Sequence, residues 1–274
     1  MSMLKQRTLT ALILAPIAIC IIVFLPSVVV AGVIAALILL ALWEWTRLLG
    51  LVDPRVRGGL VGLHGAAMLA LWLLRDTPLW WGTIAAGIGW WLLAMLWLRN
   101  FSFGAAPTQE NTALKMLAGS LATVPAWAGL MQVHQNPNHG PYWALLGLLL
   151  VWAADTGAFL SGQRWGRTKL APTISPGKTW AGVYGALAGA VLVGAVGSYL
   201  LGARELAWAG ATLLALIVVV FSIVGDLFES LLKRHSNVKD SGSLFPGHGG
   251  MLDRLDSLFA ALPVWAAGLA LLKL

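Results

Sequence analysis

Nine stretches of the chain stay apolar for about 20 residues, near 8–25, 27–46, 59–74, 78–98, 112–133, 142–163, 179–201, 205–227 and 252–272. At about 1.5 Å per residue, a helix of that length matches the roughly 30 Å hydrocarbon core of a bilayer. No water reaches that core, so each backbone N–H and C=O must be satisfied within the span, and a helix does this alone. The pattern predicts an all-α, polytopic integral membrane protein of about nine transmembrane helices. With 59 % hydrophobic and 11 % charged residues, the chain departs from soluble domains, which are about a quarter charged. The segment 8–25 follows Lys5 and Arg7, as a signal peptide would. No A-x-A-like cleavage site with a polar region follows it, so it is expected to remain as a first span. Cys20, the single cysteine, lies inside it, which excludes a disulfide framework and a thiolate metal site.

The net charge of +7 raises the possibility of nucleic acid, but its distribution decides otherwise. With the N-terminus inside, 15 of the 18 Lys and Arg residues fall in cytoplasmic segments, and only Arg75, Arg204 and Lys273 fall outside. That asymmetry is the positive-inside signature. One missed span would scramble it, so the count supports nine spans with a cytoplasmic N-terminus. No nucleic-acid partner is expected.

Two organisational parts are expected: residues 1–140 as a transmembrane scaffold of about five helices, and 141–274 as the catalytic region. The second part carries two cytoplasmic polar loops, 164–178 and 232–251. Glu44, three residues before Arg47, is expected to pair with it on one helix face. The 15 tryptophans are expected mainly as interfacial anchors and lipid contacts.

Ionisable residues within spans cost about 2.5–3.5 kcal/mol each on insertion scales and tend to mark function. Five of the 11 acidic residues gather in or at the mouths of three late spans: Asp155, Asp226, Glu229, Asp253 and Asp256. Asp226, Glu229 and Lys233 share a helical stripe, and Asp253 and Asp256 share a face one span later. A helix dipole explains acidic groups at a span start, but not a second acidic stripe ending the preceding span on the same side. Two facing stripes supply the oxygen ligands of a hard cation, and Mg²⁺ binds through one or two carboxylates plus substrate phosphates. Lys233, Arg234, Lys239 and Arg254 surround these carboxylates, while Arg164, Arg167, Lys169 and Lys178 line the other loop. In "KDSGSLFPGHGG" glycines such as Gly249 and Gly250 let backbone N–H groups approach an anion. These are the parts of phosphoryl or nucleotidyl transfer.

"PTISPGKTW" is no Walker A loop, because Pro172 stands where that pattern needs glycine. Ser175, Lys178 and Thr179 are candidates for binding phosphate at a helix N-terminus, with simple capping of the seventh span as the alternative. His248 could act as a general base, a phosphate donor or a turn residue; a binding or positioning role fits best, since phosphate oxygens need little deprotonation.

From Ser230 to Asp256 the string "SLLKR…KD.G..FPGHGGMLDRLD" resembles phosphatidate cytidylyltransferases (CDP-diacylglycerol synthases), and "ADTGAF" and "KLAPTISPGKTW" are similar to that family as well. The resemblance implies a homodimer in the bacterial inner membrane, its active site facing the cytoplasm, that condenses CTP with phosphatidic acid. The products would be CDP-diacylglycerol and pyrophosphate. It further implies Mg²⁺, with K⁺ as a second cation, at Asp226 and Asp253, with Asp256 in support. Lys233, Arg234, Lys239 and Arg254 would hold the phosphates, and Asp240, Gly249 and Gly250 belong to the same substrate-binding string.

Two other classes compete. A transporter relay would spread carboxylates through the bilayer depth and show an internal repeat, whereas here the charges gather at one face. CDP-alcohol phosphotransferases carry a D-G-x-x-A-R aspartate motif, which this chain lacks.

Overall fold

The structure is a computed structural model that describes residues 3–245 and 249–274, with side chains from residue 12. Among the described residues there are nine helices: α1 Met3–Phe24, α2 Ser27–Leu48, α3 Pro54–Leu73, α4 Pro78–Trp97, α5 Gln109–His134, α6 Gly140–Trp165, α7 Trp180–Leu200, α8 Glu205–His235 and α9 Leu252–Leu272. Eight of them, α2 to α9, are long and apolar enough to cross a membrane, and α1 adds the apolar stretch Leu12–Phe24. The expected all-α, multi-pass architecture is what the chain adopts.

Three boundaries differ from expectation for local reasons. Helix α3 begins at Pro54, earlier than hydropathy alone places it, because Asp53 accepts from the Arg55 N–H at 2.8 Å and proline suits the first helical position. Helix α8 runs eight residues beyond the apolar segment. At 31 residues it is about 46 Å long, which exceeds a hydrocarbon core and carries Lys233, Arg234 and His235 past it. The loop 164–178 is partly ordered as an antiparallel hairpin of β1 Lys169–Ala171 and β2 Ser175–Thr179, with Lys169 opposite Thr179 and Ala171 opposite Ser175.

Water gives no drive to pack helices against each other inside lipid, so close van der Waals contact between small residues has to hold them. The buried residues of α7 are Gly182, Ala186, Ala190, Gly194 and Ser198, one every fourth position. Its glycines at 185 and 189 press the backbone against α6. A Cβ on Gly189 would lie 2.9 Å from the Ala153 carbonyl oxygen, and one on Gly185 would collide with Gly157 O and Ser161 Oγ. Helices α5 and α9 meet in the same way, Gly129 lying against the Leu262–Pro263 backbone.

About half of the tryptophans do not behave as a belt. Eight of the 15 are buried: Trp45, Trp80, Trp90, Trp91, Trp97, Trp127, Trp143 and Trp265. Several are admitted to the interior because the indole N–H finds a carbonyl. Trp45 donates to Lys115 O, Trp91 to Phe259 O, Trp127 to Ala31 O and Trp265 to Trp143 O, each at 3.0 Å. Trp45, Trp90, Trp91 and Trp97 surround the Phe228 ring, with centroids 5.4–6.3 Å away. Such pairs contribute about 0.5–1.5 kcal/mol each beyond area, and they fix the helix at the residue before Glu229.

The connections after α2, α4 and α8 line one common cavity, and the hairpin joins them where Arg234 Nε donates to Ile174 O at 3.2 Å. At the opposite end His134 ties α1 to α2. Its Nε2 lies 2.8 Å from Ile22 O and its Nδ1 2.9 Å from Ser27 Oγ, and Asn136 donates to Leu274 O at 3.2 Å. Alternate connections therefore gather at alternate ends, as the Lys/Arg count requires. A Gly189→Leu substitution should force α6 and α7 apart, destabilising by at least about 1–3 kcal/mol, seen as a lower unfolding temperature in detergent.

Candidate active site

The late carboxylates converge at the end of the bundle that carries the polar connections. Lys233, two turns beyond Asp226 on α8, reaches Glu229 Oε2 at 2.9 Å and crosses to Asp253 Oδ1 on α9 at 2.7 Å. Glu229 is 2 % exposed. A charge so deeply buried demands a partner, and Lys233 serves two at once. Glu229 also lies beside Asp256, and its Oε1 has no donor among the described residues.

The second carboxylate oxygen of Asp253 organises the loop before α9. It accepts from Gly250 N at 2.7 Å, Ser241 N at 3.0 Å and Ser241 Oγ at 2.8 Å. Gly249 has φ +79°, and a Cβ there would collide with the Asp253 carboxylate, so the position excludes other residues on both counts. Phe245 N donates to Gly249 O at 2.9 Å, closing the turn.

Asp226 is held from the other side. Lys178 at the end of β2 places Nζ 2.6 Å from Asp226 Oδ2, at an angle that does not make a hydrogen bond. Ser230 Oγ donates to Asp226 Oδ1 at 3.3 Å. Gly225 allows α8 to approach the Asp256 carbonyl, which brings Asp226 and Asp256 close enough to interact electrostatically. Asp155 on α6 joins the same group, within electrostatic reach of Asp226, Asp256, Lys178 and Arg254. The cluster thus holds five carboxylates against two paired lysines.

The family model described as the cytidylyltransferase family matches residues 5–272. The chain belongs to that family. It is 43 % identical to a phosphatidate cytidylyltransferase of Pseudomonas aeruginosa over 97 % of this chain and 96 % of the relative. A phosphatidate cytidylyltransferase of Haemophilus influenzae is 35 % identical over 96 % and 98 %, and one of Staphylococcus epidermidis is 33 % identical over 95 % and 97 %. The chain is therefore an enzyme, a membrane-embedded nucleotidyltransferase.

The remaining residues singled out in the sequence of this cytidylyltransferase are placed as follows. Thr179 caps α7, accepting from Gly182 N at 3.1 Å, because the strand geometry of β2 places it in the extended conformation of an N-cap. Ser175 is half-buried in β2, paired with Ala171. The glycine-rich turn meets protein carboxylates: Gly250 N is taken by Asp253. Arg234, Lys239, Asp240 and Arg254 are exposed. His248, with Pro246 and Gly247, lies outside the described residues.

Glu44 is the residue that sequence reasoning placed wrongly. It forms no pair with Arg47 among the described residues. Instead it reaches from α2 to cap α9, accepting from Met251 N at 3.1 Å and Leu252 N at 2.9 Å, and its Oε2 shares the one Ser241 hydroxyl proton with Asp253 Oδ2, each 2.8 Å from Ser241 Oγ. Helix α9 lacks a side-chain cap of its own, and its orphan N–H groups need one. A Cβ on Gly250 would collide with the Glu44 carboxylate, so the glycine gives this carboxylate its room. The uncapped start of α9 beside an acidic residue in an early apolar helix was the available signal. Glu44→Ala should lower transfer activity at least tenfold and cost about 1–3 kcal/mol, measured by turnover and thermal unfolding. Glu44→Gln, which keeps an acceptor, should recover part of both.

Proposed function

We propose that the enzyme is a phosphatidate cytidylyltransferase of the bacterial inner membrane, multi-pass, working as a homodimer with its active site facing the cytoplasm. The observation that carries this reading is Lys233, held between Glu229 of α8 and Asp253 of α9 at the polar end of a membrane-spanning bundle. A water-soluble polyanion and a lipid phosphate must meet at such an end, and the relatives named above carry the same activity in their names. The acyl chains of phosphatidic acid remain in the bilayer and enter between helices, while CTP arrives from the aqueous side.

A phosphatidate oxygen attacks the α-phosphorus of CTP in line. The new P–O bond forms as the bond to the β-phosphate bridging oxygen breaks, releasing pyrophosphate and CDP-diacylglycerol. No covalent enzyme intermediate is involved, so catalysis is positioning and charge neutralisation. Lys178 and Lys233 are already desolvated and oriented by their carboxylates. Arg234, Lys239 and Arg254 add exposed positive charge for the phosphates, with Ser175 and the 240–250 segment shaping the approach.

Mg²⁺ is the proposed cofactor, with K⁺ as a second cation, and Asp226 and Asp253 as ligands supported by Asp256. Carboxylate oxygens suit hard cations. Five carboxylates around two lysines, with the Glu229 Oε1 left without a donor, leave a negative excess that cations would balance. Among the described residues no three acidic, His or Cys side chains form a ready metal cage; the proposed ion would take one or two carboxylates and complete its shell with substrate phosphates. Bound there, Mg²⁺ supplies charge stabilisation for the phosphates.

Purified protein given labelled CTP and phosphatidate should form CDP-lipid with Mg²⁺ and none after chelation; an absence of CDP-lipid under every metal condition would overturn the reading. Asp253→Asn should lose at least about a hundredfold in turnover while keeping its helical circular dichroism. Full activity in that variant would remove Asp253 from the metal assignment. Lys233→Met leaves two buried carboxylates unpaired and should cost about 3–5 kcal/mol of stability, read from thermal unfolding.

A further inference from the structure

Beside the carboxylate cluster, a cavity of about 230 Å³ opens between the ends of α2, α5 and α8. None of the chemistry above uses it. Arg47 reaches it from α2, Lys115 from α5, and His235, Asp240 and Ser241 from the end of α8 and the loop beyond.

Two of these groups lack partners. Lys115 is only 6 % exposed, and no carboxylate or carbonyl accepts from its ammonium among the described residues. The ammonium is open to the cavity it lines, where an acceptor on a ligand would pair it. His235 Nε2 lies 2.7 Å from the Phe101 carbonyl oxygen, an atom that only accepts, so Nε2 carries the proton. Its Nδ1 is then a bare lone pair, buried and without a donor among the described residues.

The lining therefore offers donors and acceptors together, against apolar walls such as Leu48, Ala106 and Pro107. A phosphate group would meet Arg47 and Lys115, but it would gain nothing from those walls and would set its oxygens against Asp240 and the Nδ1 lone pair. A flat heteroaromatic ring with a mixed polar edge fits both features, and a mostly apolar pocket with a few placed polar groups is the usual form of a small-ligand site. The volume is small for a whole nucleoside triphosphate but suits its base. Ser241 then supplies continuity, because it lines the cavity and its hydroxyl lies 2.8 Å from Asp253 Oδ2. A ligand seated here has its other end directed to the carboxylates.

We propose that this cavity holds the cytosine ring of the nucleotide. Lys115 donates to the ring acceptors, and Asp240 and His235 Nδ1 face the exocyclic amino group. The assignment rests on the CTP reading above and adds where that nucleotide is recognised. It also explains how cytidine is told from uridine: uracil presents a carbonyl where cytosine presents the amino group, and would set an acceptor against acceptors. A site built to hydrogen-bond one edge rejects the altered edge strongly.

Equilibrium binding to the full-length protein in detergent tests the proposal, with CTP, UTP and pyrophosphate as separate probes. Two variants are compared with wild type: Lys115→Met, which removes the ammonium, and Ala106→Trp, which fills the cavity from an exposed loop position. Thermal unfolding establishes that each is folded, and Ala106→Trp decides the matter if Lys115→Met does not fold. The expected result is that both weaken CTP binding about tenfold or more, leave pyrophosphate binding unchanged, and erase the preference for CTP over UTP. Unchanged CTP binding in folded variants overturns the proposal. Equal loss of CTP and pyrophosphate also overturns it, by making the cavity a phosphate site. Wild-type protein that shows the expected pattern yet transfers nothing to phosphatidate overturns the proposed reaction while leaving the cavity assignment standing.

Discussion

Lys233 is the interaction on which the functional end of this protein depends. Its ammonium bridges Glu229 and Asp253, and so joins two helices whose carboxylates would otherwise repel one another in a medium with little screening. Breaking a buried pair is strongly destabilising because the remaining charge has nowhere to go. From Asp253 the chain of contacts continues to Ser241 and Gly250, and from Ser241 to Glu44 on α2. The loop between α8 and α9 is thereby tied at both ends to helix-borne carboxylates, and the start of α9 acquires the cap its own sequence does not supply.

Behind this polar end the bundle is held by contact. The stripe of five small residues on α7, one at every fourth position, lets α6 and α8 approach closely, and Gly225 does the same between α8 and α9 at Asp256. Buried indoles fill the wider gaps, several of them anchored where the N–H meets a carbonyl of another segment. The four tryptophans around Phe228 are the clearest case. They lock α8 at the position from which Glu229 and Lys233 are projected, so apolar packing and the charge cluster are parts of one arrangement.

The same arrangement suits a reaction between two phosphates at a membrane surface. The lysines are desolvated and aimed before substrate arrives, so little reorganisation is required when negative charge develops. The basic groups further out are exposed to a polyanion arriving from outside the bundle. The cavity beyond Ser241 lies beside this centre, and the proposed binding of the base there separates its recognition from the handling of phosphates.

Much of this was legible in the linear sequence. Twenty-residue apolar stretches dictate helices because a bilayer tolerates few alternatives, and the carboxylates at Asp226, Glu229, Asp253 and Asp256 foretold a charged cluster at one end because burying charge is costly unless it is paired. The family string around Gly249 and Asp253 named the chemistry. What the sequence could not supply was pairing across elements. Glu44 seemed bound to Arg47 because neighbours on a helix are visible as spacing, whereas its true partners, Met251 and Leu252, lie some 200 residues away. The tryptophans looked like interfacial anchors because composition cannot tell an indole facing lipid from one whose N–H reaches a carbonyl of another helix. Hydropathy and charge thus determined the number of helices, their alternation and the end where the carboxylates gather. Only the tertiary structure decided which lysine faces which carboxylate, because that choice depends on how closely the helix backbones approach, and the small residues on α6 to α9 set that distance.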